Sequence, residues 1–201
     1  MSKEIRLTKG LTINLAGEAD KVYASVKPSN TYVVKPTNFH GLTPKMVVKV
    51  KDRVKAGTPL FFDKYNEKVN YCSPVSGEVI SIVRGAKRRI LEVVIKGDAE
   101  ILYESFEILK MNTLSREKII DRMLEGGVWP FIRQKPYDIV ANPFDVPKAI
   151  FISSFNSAPL SIDNDFALYG MEELFQFGID IIVNLTSGKT HLNIDGNTNP
   201  S

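Results

Sequence analysis

Residues that could bind a nucleotide phosphate come near the end of the chain, where Ser187-Gly188-Lys189-Thr190 is similar to the last part of a P-loop. A complete P-loop, G-x-x-x-x-G-K-[ST], wraps backbone N–H groups around phosphates between a strand and a helix. Its first glycine would have to stand at Val183, inside a predicted helix. The sequence therefore predicts no nucleotide site here, and no G-x-G-x-x-G follows a predicted strand to indicate a dinucleotide site.

Cysteine and histidine offer little further chemistry. The chain has one cysteine, Cys72, and two histidines, His40 and His191. One cysteine excludes a disulfide framework and a Cys-rich metal site, and two histidines are too few for a histidine metal centre. We therefore interpret Cys72 as a small buried thiol and the histidines as structural residues, and we predict no metal site.

Basic residues are concentrated in the first half of the chain. Residues 1–100 carry 18 Lys and Arg against 10 Asp and Glu, whereas residues 101–201 carry 8 against 13. This asymmetry indicates two modules, and the basic one could face an acidic protein, an anionic lipid or a nucleic acid.

Five basic residues recur at short spacing, and on a strand several of them would share one face: Lys45, Lys49, Lys51, Arg53 and Lys55. Such a face would suit phosphates, but no recognition-helix or single-strand-binding signature accompanies it. Lysines on an exposed strand also discourage edge-to-edge aggregation. We therefore expect no nucleic-acid partner.

Composition is that of a globular protein. The chain has 201 residues, 43% hydrophobic and 24% charged, which is enough for one large or two small domains. Its apolar runs are far shorter than the roughly 20 residues that cross a bilayer, and no apolar segment follows the first five residues to form a secretory signal. We expect a cytoplasmic location without a transmembrane segment.

The first hundred residues are typical of a small β-sandwich or barrel. Short apolar runs alternate with turns rich in Gly, Pro and Asn, which predicts strands at 47–50, 59–62, 69–72, 78–83 and 90–95.

Helical spacing begins after residue 101. Ser115 is a predicted N-cap for a helix that ends at Gly126-Gly127, and 129–147 is an ordered connector rich in Pro and aromatic residues. A strand at 149–152, a helix at 172–187 and a strand at 189–194 predict a parallel βαβ unit. Because one such unit cannot bury both faces of its sheet, we expect the start of a larger α/β domain.

Two segments, 48–61 and 73–79, resemble the half-motifs of biotinyl/lipoyl-type domains. The resemblance implies a flattened β-barrel, or barrel-sandwich hybrid, with an attachment lysine on a hairpin. Residues 63–68 lack the Met-Lys-Met type of tip, so we expect no covalent loading of Lys64 or Lys68.

Longer stretches are similar to the A-type subunits (the NqrA family) of the sodium-translocating NADH:quinone oxidoreductases. The matching segments are Lys9-Gly10-Leu11, 13–17, 41–46, 84–88, 93–95, Leu114-Ser115-Arg116-Glu117, Gly127-Val128-Trp129, Arg133, Pro136, 149–152, Asn156, Pro159 and Leu160. Members of that family are about twice as long, so the resemblance implies an N-terminal fragment. The fold class is then α+β and α/β: a β-barrel at 1–100, a helix and connector at 101–147, and a partial Rossmann-like domain at 148–201.

The family implies a role in a six-subunit complex that passes electrons from NADH to quinone and exports Na⁺. Flavins and an iron–sulfur cluster are carried by partner subunits, and quinone is the substrate of the complex. The family's own chain has no covalently bound cofactor and no catalysis of its own. The resemblance places it peripherally at the cytoplasmic face of the bacterial inner membrane, where it serves quinone association and assembly.

Quinone head groups need an apolar slot, aromatic stacking and hydrogen-bond donors for their carbonyls. Six residues supply that mixture and are our candidates for the quinone site: Trp129, Phe131, Arg133, Tyr137, Phe155 and Asn156. The candidate docking residues are Lys49, Lys51 and Arg88. Two alternatives stay open: the C-type subunit of the related ferredoxin:NAD⁺ (Rnf) complex, and a lipoyl- or biotin-type carrier.

Overall fold

The computed structural model describes residues 15–17, 19–108, 114–156 and 158–194. They divide into two compact units. The first, here called the barrel unit, is Val26–Pro147. The second, the α/β unit, comprises the described residues before Val26 and after Pro147. The connector 101–147 therefore lies with the barrel in this division, while the predicted boundaries at residues 100 and 147 stay predictions.

The barrel unit is built on two antiparallel sheets. Their strands are β1 (Thr31–Val34), β2 (Pro44–Met46), β3 (Arg53–Val54), β4 (Pro59–Asp63), β5 (Asn66–Cys72), β6 (Gly77–Arg84) and β7 (Ile90–Gly97). One sheet has the order β1-β7-β6-β3, and the other has the order β2-β4-β5. The least exposed large side chains form the core: Leu60, Phe61, Val69, Val79, Val93 and Ile95. Leu60 and Phe61 are adjacent in β4 and both buried, because the pairing of β4 with β5 shifts register between Pro59 and Phe61.

Four of the five predicted strands are confirmed, and the strand predicted at 47–50 is wrong. β2 ends at Met46, and residues 47–52 form an irregular loop. Asp52 accepts a hydrogen bond from the Lys49 N–H at 2.8 Å, and Lys51 has a φ of 78°. This local turn replaces the regular hydrogen bonds that a strand would make with its neighbour. The Lys51 N–H instead donates to the Val79 carbonyl at 2.7 Å.

The predicted helix after residue 114 is confirmed as α1 (Arg116–Glu125). The Ser115 side chain caps it by accepting from the Lys118 N–H, and its apolar face buries Ile119, Ile120 and Leu124. The helix stops at Gly126 and Gly127. Gly127 has a φ of 69°, and a Cβ there would overlap the Cys72 side chain, so this end of the helix is fixed against β5.

The segment expected to be an irregular connector contains regular elements. A 3₁₀ turn at Trp129–Phe131 leads into a two-stranded antiparallel hairpin of β8 (Arg133–Gln134) and β9 (Ile139–Val140). An irregular connector was expected here because the segment is rich in proline. The structure instead accommodates Pro136 in the hairpin connection, where no ladder N–H is needed.

In the α/β unit, β10 (Ala149–Ser153) and β11 (Lys189–Asn193) pair in parallel, as predicted. Between them lie α2 (Asn164–Leu168) and α3 (Glu172–Val183). α3 ends four residues before the predicted end, where the Asn184 side chain donates to the Asp180 carbonyl at 2.6 Å. Leu185 lies beyond the helix yet is buried, so the apolar spacing continued past the last helical residue.

Residues ahead of the barrel contribute to the α/β unit. The Tyr23 ring stacks on Phe166 with centroids 4.7 Å apart, and its hydroxyl donates to the Phe166 carbonyl at 2.7 Å. Lys21 forms an ion pair with Asp163, the N-cap of α2. This unit therefore contains sequence from both sides of the barrel.

Gly77 is predicted to tolerate no larger residue. A Cβ at this position would overlap the Lys96 carbonyl oxygen on the neighbouring strand. We expect Gly77→Ala to lower the free energy of unfolding by roughly 1–3 kcal/mol, the usual cost of overpacking. Urea unfolding followed by circular dichroism measures the change.

The matched control is Gly178→Ala, because Gly178 lies within α3 and a Cβ there has nothing within 4 Å. Alanine should stabilise that helix by up to about 1 kcal/mol. Equal stability of wild type and Gly77→Ala would contradict the close approach of the two strands.

Candidate functional site

Four of the six quinone candidates lie on one segment of the barrel unit. Trp129 and Phe131 are in the 3₁₀ turn, Arg133 begins β8, and Tyr137 is in the connection to β9. Phe131 is 76% exposed and Tyr137 is 70% exposed, so both rings are available to a ligand. The hairpin thus presents two free aromatic side chains beside a basic residue.

Trp129 has a different environment, because it is almost fully buried. Its indole Nε1 donates to the Ala141 carbonyl at 2.8 Å, which ties the 3₁₀ turn to the chain just after β9. The burial and the satisfied N–H give Trp129 a structural role in holding the hairpin.

Arg133 holds the hairpin connection together. Its Nη2 donates to both the carbonyl and the carboxylate of Asp138, and Lys135 donates to the same carboxylate at 2.7 Å. The hydrogen bond from Lys135, followed by the charges of Arg133 and Lys135, keeps the pKa of Asp138 below its usual value. The Arg133 Nε is buried and has no hydrogen-bond partner among the described residues.

Tyr71 lies on β5, which contacts the 3₁₀ turn, and it was not among the residues predicted from the sequence. It is buried in β5, stacks on Phe61 at 5.1 Å and meets Phe39 edge-on at 4.6 Å. Burial, and after it the charge of Asp63, raises the pKa of Tyr71, while the charge of Arg133 opposes the rise. The phenol therefore keeps its proton at neutral pH and is a hydrogen-bond donor.

These residues of the barrel unit form the candidate site. Tyr71 and Arg133 are donors of different strength, and Phe131 and Tyr137 supply exposed aromatic surface. A planar ligand with carbonyl acceptors would need donors for its oxygens and aromatic rings for its faces. The only sequence signal for Tyr71 is its alternation with Val69 on β5, which predicts burial but not the neighbouring arginine.

The other two candidates are in the α/β unit, just after β10. The side-chain oxygen of Asn156 accepts from the Ala158 N–H at 2.9 Å, and its carbonyl accepts from the Ser161 hydroxyl at 2.7 Å. Asn156 thus shapes a local turn. Phe155 is partly exposed, at 42%.

The docking candidates lie on two separate loops of the barrel unit. Lys49 and Lys51 are in the 47–52 loop, and Arg88 is in the connection from β6 to β7. Three other members of the predicted basic face are neutralised by ion pairs: Lys45 with Glu67 at 3.7 Å, Arg53 with Asp98 at 2.9 Å and Lys55 with Glu104 at 3.6 Å. Within the described parts of the chain, Lys49 and Lys51 form no ion pair and stand beside exposed Val47 and Val50.

Cys72 is half-buried at the end of β5. Burial, and then the charge of Glu104, raises the pKa of its thiol to about 11. Residues 15–17, 19–108, 114–156 and 158–194 contain no group of three or more His, Cys, Asp or Glu placed to hold a metal ion. No helix in those ranges has the length and apolar character needed to cross a membrane.

Fold and comparisons together define the class of this protein, a barrel-sandwich hybrid followed by an α/β domain. Residues 5–98 match the family model described as the NqrA N-terminal barrel-sandwich hybrid domain, and residues 114–201 match the NqrA second alpha/beta domain. The chain belongs to the NqrA family. The second match begins before α1, whereas the contacts place α1 in the barrel unit.

Curated relatives agree with this assignment. The chain is 34% identical to a Marinomonas sp. protein over 189 residues, 33% to one from Pseudomonas aeruginosa over 180 and 33% to one from Vibrio campbellii over 199. Each is named as the A-type subunit of a Na(+)-translocating NADH-quinone reductase. The matches cover 89–98% of this chain but only 40–45% of those relatives. They give no support to the Rnf alternative.

Cys72 is predicted to react slowly with alkylating reagents. A pKa near 11 instead of 9.0 lowers the thiolate fraction at pH 8 about a hundredfold. Iodoacetamide labelling followed by mass spectrometry should therefore be about a hundredfold slower in the folded chain than in urea. Equal rates in the folded and unfolded chain would contradict a buried thiol.

Proposed function

We propose that the chain acts as part of the NqrA subunit of a bacterial sodium-translocating NADH:quinone reductase. The match to both NqrA domain models carries this proposal. The complex has six subunits; NADH, the flavins and the iron–sulfur cluster bind to the partners, and NqrA carries no covalent cofactor. It lies peripherally at the cytoplasmic face of the inner membrane, where it associates with quinone and supports assembly.

The quinone head group is proposed to bind beside the β8–β9 hairpin. Its carbonyl oxygens would accept from Arg133 and from the protonated phenol of Tyr71. The exposed rings of Phe131 and Tyr137 would cover its faces. Trp129 would hold the hairpin in place, because its indole N–H already donates to the Ala141 carbonyl. Phe155 and Asn156, which lie in the α/β unit, stay separate candidates for a quinone contact and are not part of this proposed site.

Removal of either donor should weaken quinone binding. We expect Arg133→Ala to raise the Kd for a short-chain ubiquinone about tenfold, the usual loss for a charged hydrogen bond. Tyr71→Phe removes only a hydroxyl and should raise the Kd about fivefold. Quenching of Trp129 fluorescence reports binding, because the chain has a single tryptophan.

Arg53→Ala is the matched control, because Arg53 also pairs with an aspartate but belongs to β3. Its Kd should stay at the wild-type value. Because Arg133→Ala could also disturb the hairpin, Tyr71→Phe is the more specific test of the proposed site. Wild-type affinity for the quinone in both variants would contradict quinone binding at this site.

We propose that the loop 47–52 docks on an acidic surface of another subunit. Lys49 and Lys51 keep uncompensated charge while their basic neighbours are paired with acids. Exposed Val47 and Val50 add apolar surface between the charges, which is the composition of an interface rather than of a solvated face. Arg88 lies on a different connection, between β6 and β7, and is not part of this docking surface.

Charge reversal in this loop should weaken assembly. The full-length protein is affinity-purified from its native membranes, and NADH:quinone reductase activity is assayed with and without Na⁺. Wild type should bring down flavin subunits and Na⁺-stimulated activity, and Lys49→Glu with Lys51→Glu should reduce their recovery at least tenfold because like charges would face each other.

Lys64→Glu provides the control, since Lys64 is an exposed lysine on the β4–β5 turn. It should leave recovery unchanged. If the wild-type protein is purified from intact complexes without partner subunits, the proposed function is overturned. If the charge-reversed variant recovers the flavin subunits normally, only the proposed docking role of the loop is overturned.

A further inference from the structure

The connection between β6 and β7 carries the densest positive charge of the chain. Residues 84–89 read Arg-Gly-Ala-Lys-Arg-Arg, so four of six residues are cationic. All four cationic side chains are exposed. The flanking strands are each eight residues long and stay paired up to Arg84 and Ile90. We call residues 84–89 the basic turn.

The basic turn has a fixed backbone. The Gly85 N–H donates to the Arg89 carbonyl at 2.8 Å, and the Arg89 N–H donates to the Ala86 carbonyl at 3.2 Å. Lys87 and Arg88 both have positive φ, at 54° and 61°. Two successive non-glycine residues in this region are uncommon, and they turn the four cations outward at the end of a stable hairpin.

No acidic side chain in the described parts of the chain forms an ion pair with the four cations. The nearest acid along β7, Glu92, is paired with Lys35 at 3.2 Å. Here the basic turn differs from the region around Arg53 and Lys55, where acids neutralise the charge. The turn therefore keeps its full charge for an external anion.

We propose that the basic turn binds the surface of an anionic phospholipid bilayer. Charge is concentrated in residues 84–89, which contain no large apolar residue, and the sequence from 80 to 93 contains no aromatic residue. Protein interfaces centre on an apolar core, and single-stranded nucleic acids are held by stacking on aromatic rings. A lipid surface needs neither, because it is a continuous sheet of negative charge that attracts clustered Lys and Arg.

This proposal rests on the peripheral membrane position proposed above and adds the part of the barrel that makes the contact. Each basic residue near an anionic leaflet strengthens binding about fivefold. Four together should strengthen it by more than about a hundredfold, and the effect should decline with ionic strength because surface charges are screened.

The test is cosedimentation of the 201-residue chain with vesicles. The anionic vesicles contain about 30% phosphatidylglycerol in phosphatidylcholine, and the neutral ones contain phosphatidylcholine alone. Wild type should bind only the anionic vesicles and should be released at about 0.5 M salt. The variant Arg84→Gln, Lys87→Asn, Arg88→Asn, Arg89→Gln should bind about a hundredfold more weakly, with asparagine chosen where φ is positive.

A second quadruple variant separates clustered charge from net charge. Lys27, Lys64, Lys96 and Lys148 are exposed and dispersed, so their replacement by Gln removes the same charge without touching the basic turn. It should lose far less binding. Circular dichroism verifies that both variants are folded.

Failure of wild type to bind anionic vesicles, or equal losses in the two variants, would overturn the proposal. Should the basic-turn variant lose co-purification of the complex while wild type ignores the vesicles, the turn contacts an acidic protein instead and the lipid proposal fails. Neither vesicle result depends on the quinone reductase assignment, which the purification experiment tests separately.

Discussion

The close approach of β6 and β7 at Gly77 is the constraint on which the barrel unit depends. Only a residue without a side chain lets the Lys96 carbonyl come this near. Ser76, directly before it, is fully buried and accepts from the Leu102 N–H at 2.9 Å, which brings the chain after β7 back onto the barrel. The Ala56 N–H then donates to the Leu102 carbonyl, so the connector starts from a fixed point.

The hydrogen bonds that fix Leu102 help to explain how a segment far along the chain reaches the candidate site. From Leu102 the chain continues to α1, whose end at Gly127 is pressed against Cys72. The 3₁₀ turn that follows then lies against β5, the strand that contains Tyr71 and Cys72. The tight contact at Gly127 and the end of α1 therefore bring elements that are far apart in sequence against β5.

The sequence predicts what is local and misses what is long-range. Alternation at 90–95 and the Ser115 cap depend on neighbouring residues, so β7 and the start of α1 were predictable. The apolar spacing of Leu185 made the predicted helix too long, because a buried apolar position does not show where the backbone hydrogen bonds of a helix end. The charge of the basic half was visible, but pairs such as Arg53 with Asp98 join residues 45 apart, so the sequence could not show which cations stay free.

Two lysines of the β4–β5 hairpin lie over aromatic rings. A carrier lysine must extend freely from its turn to reach several active sites. Here the Lys64 Nζ lies over the Tyr65 ring at 5.8 Å, and the Lys68 Nζ lies over the Phe144 ring at 5.4 Å. Phe144 belongs to the segment after β9, so Lys68 helps to hold that segment on the barrel. A lysine that packs on an aromatic ring in this way is less free to extend than a carrier lysine.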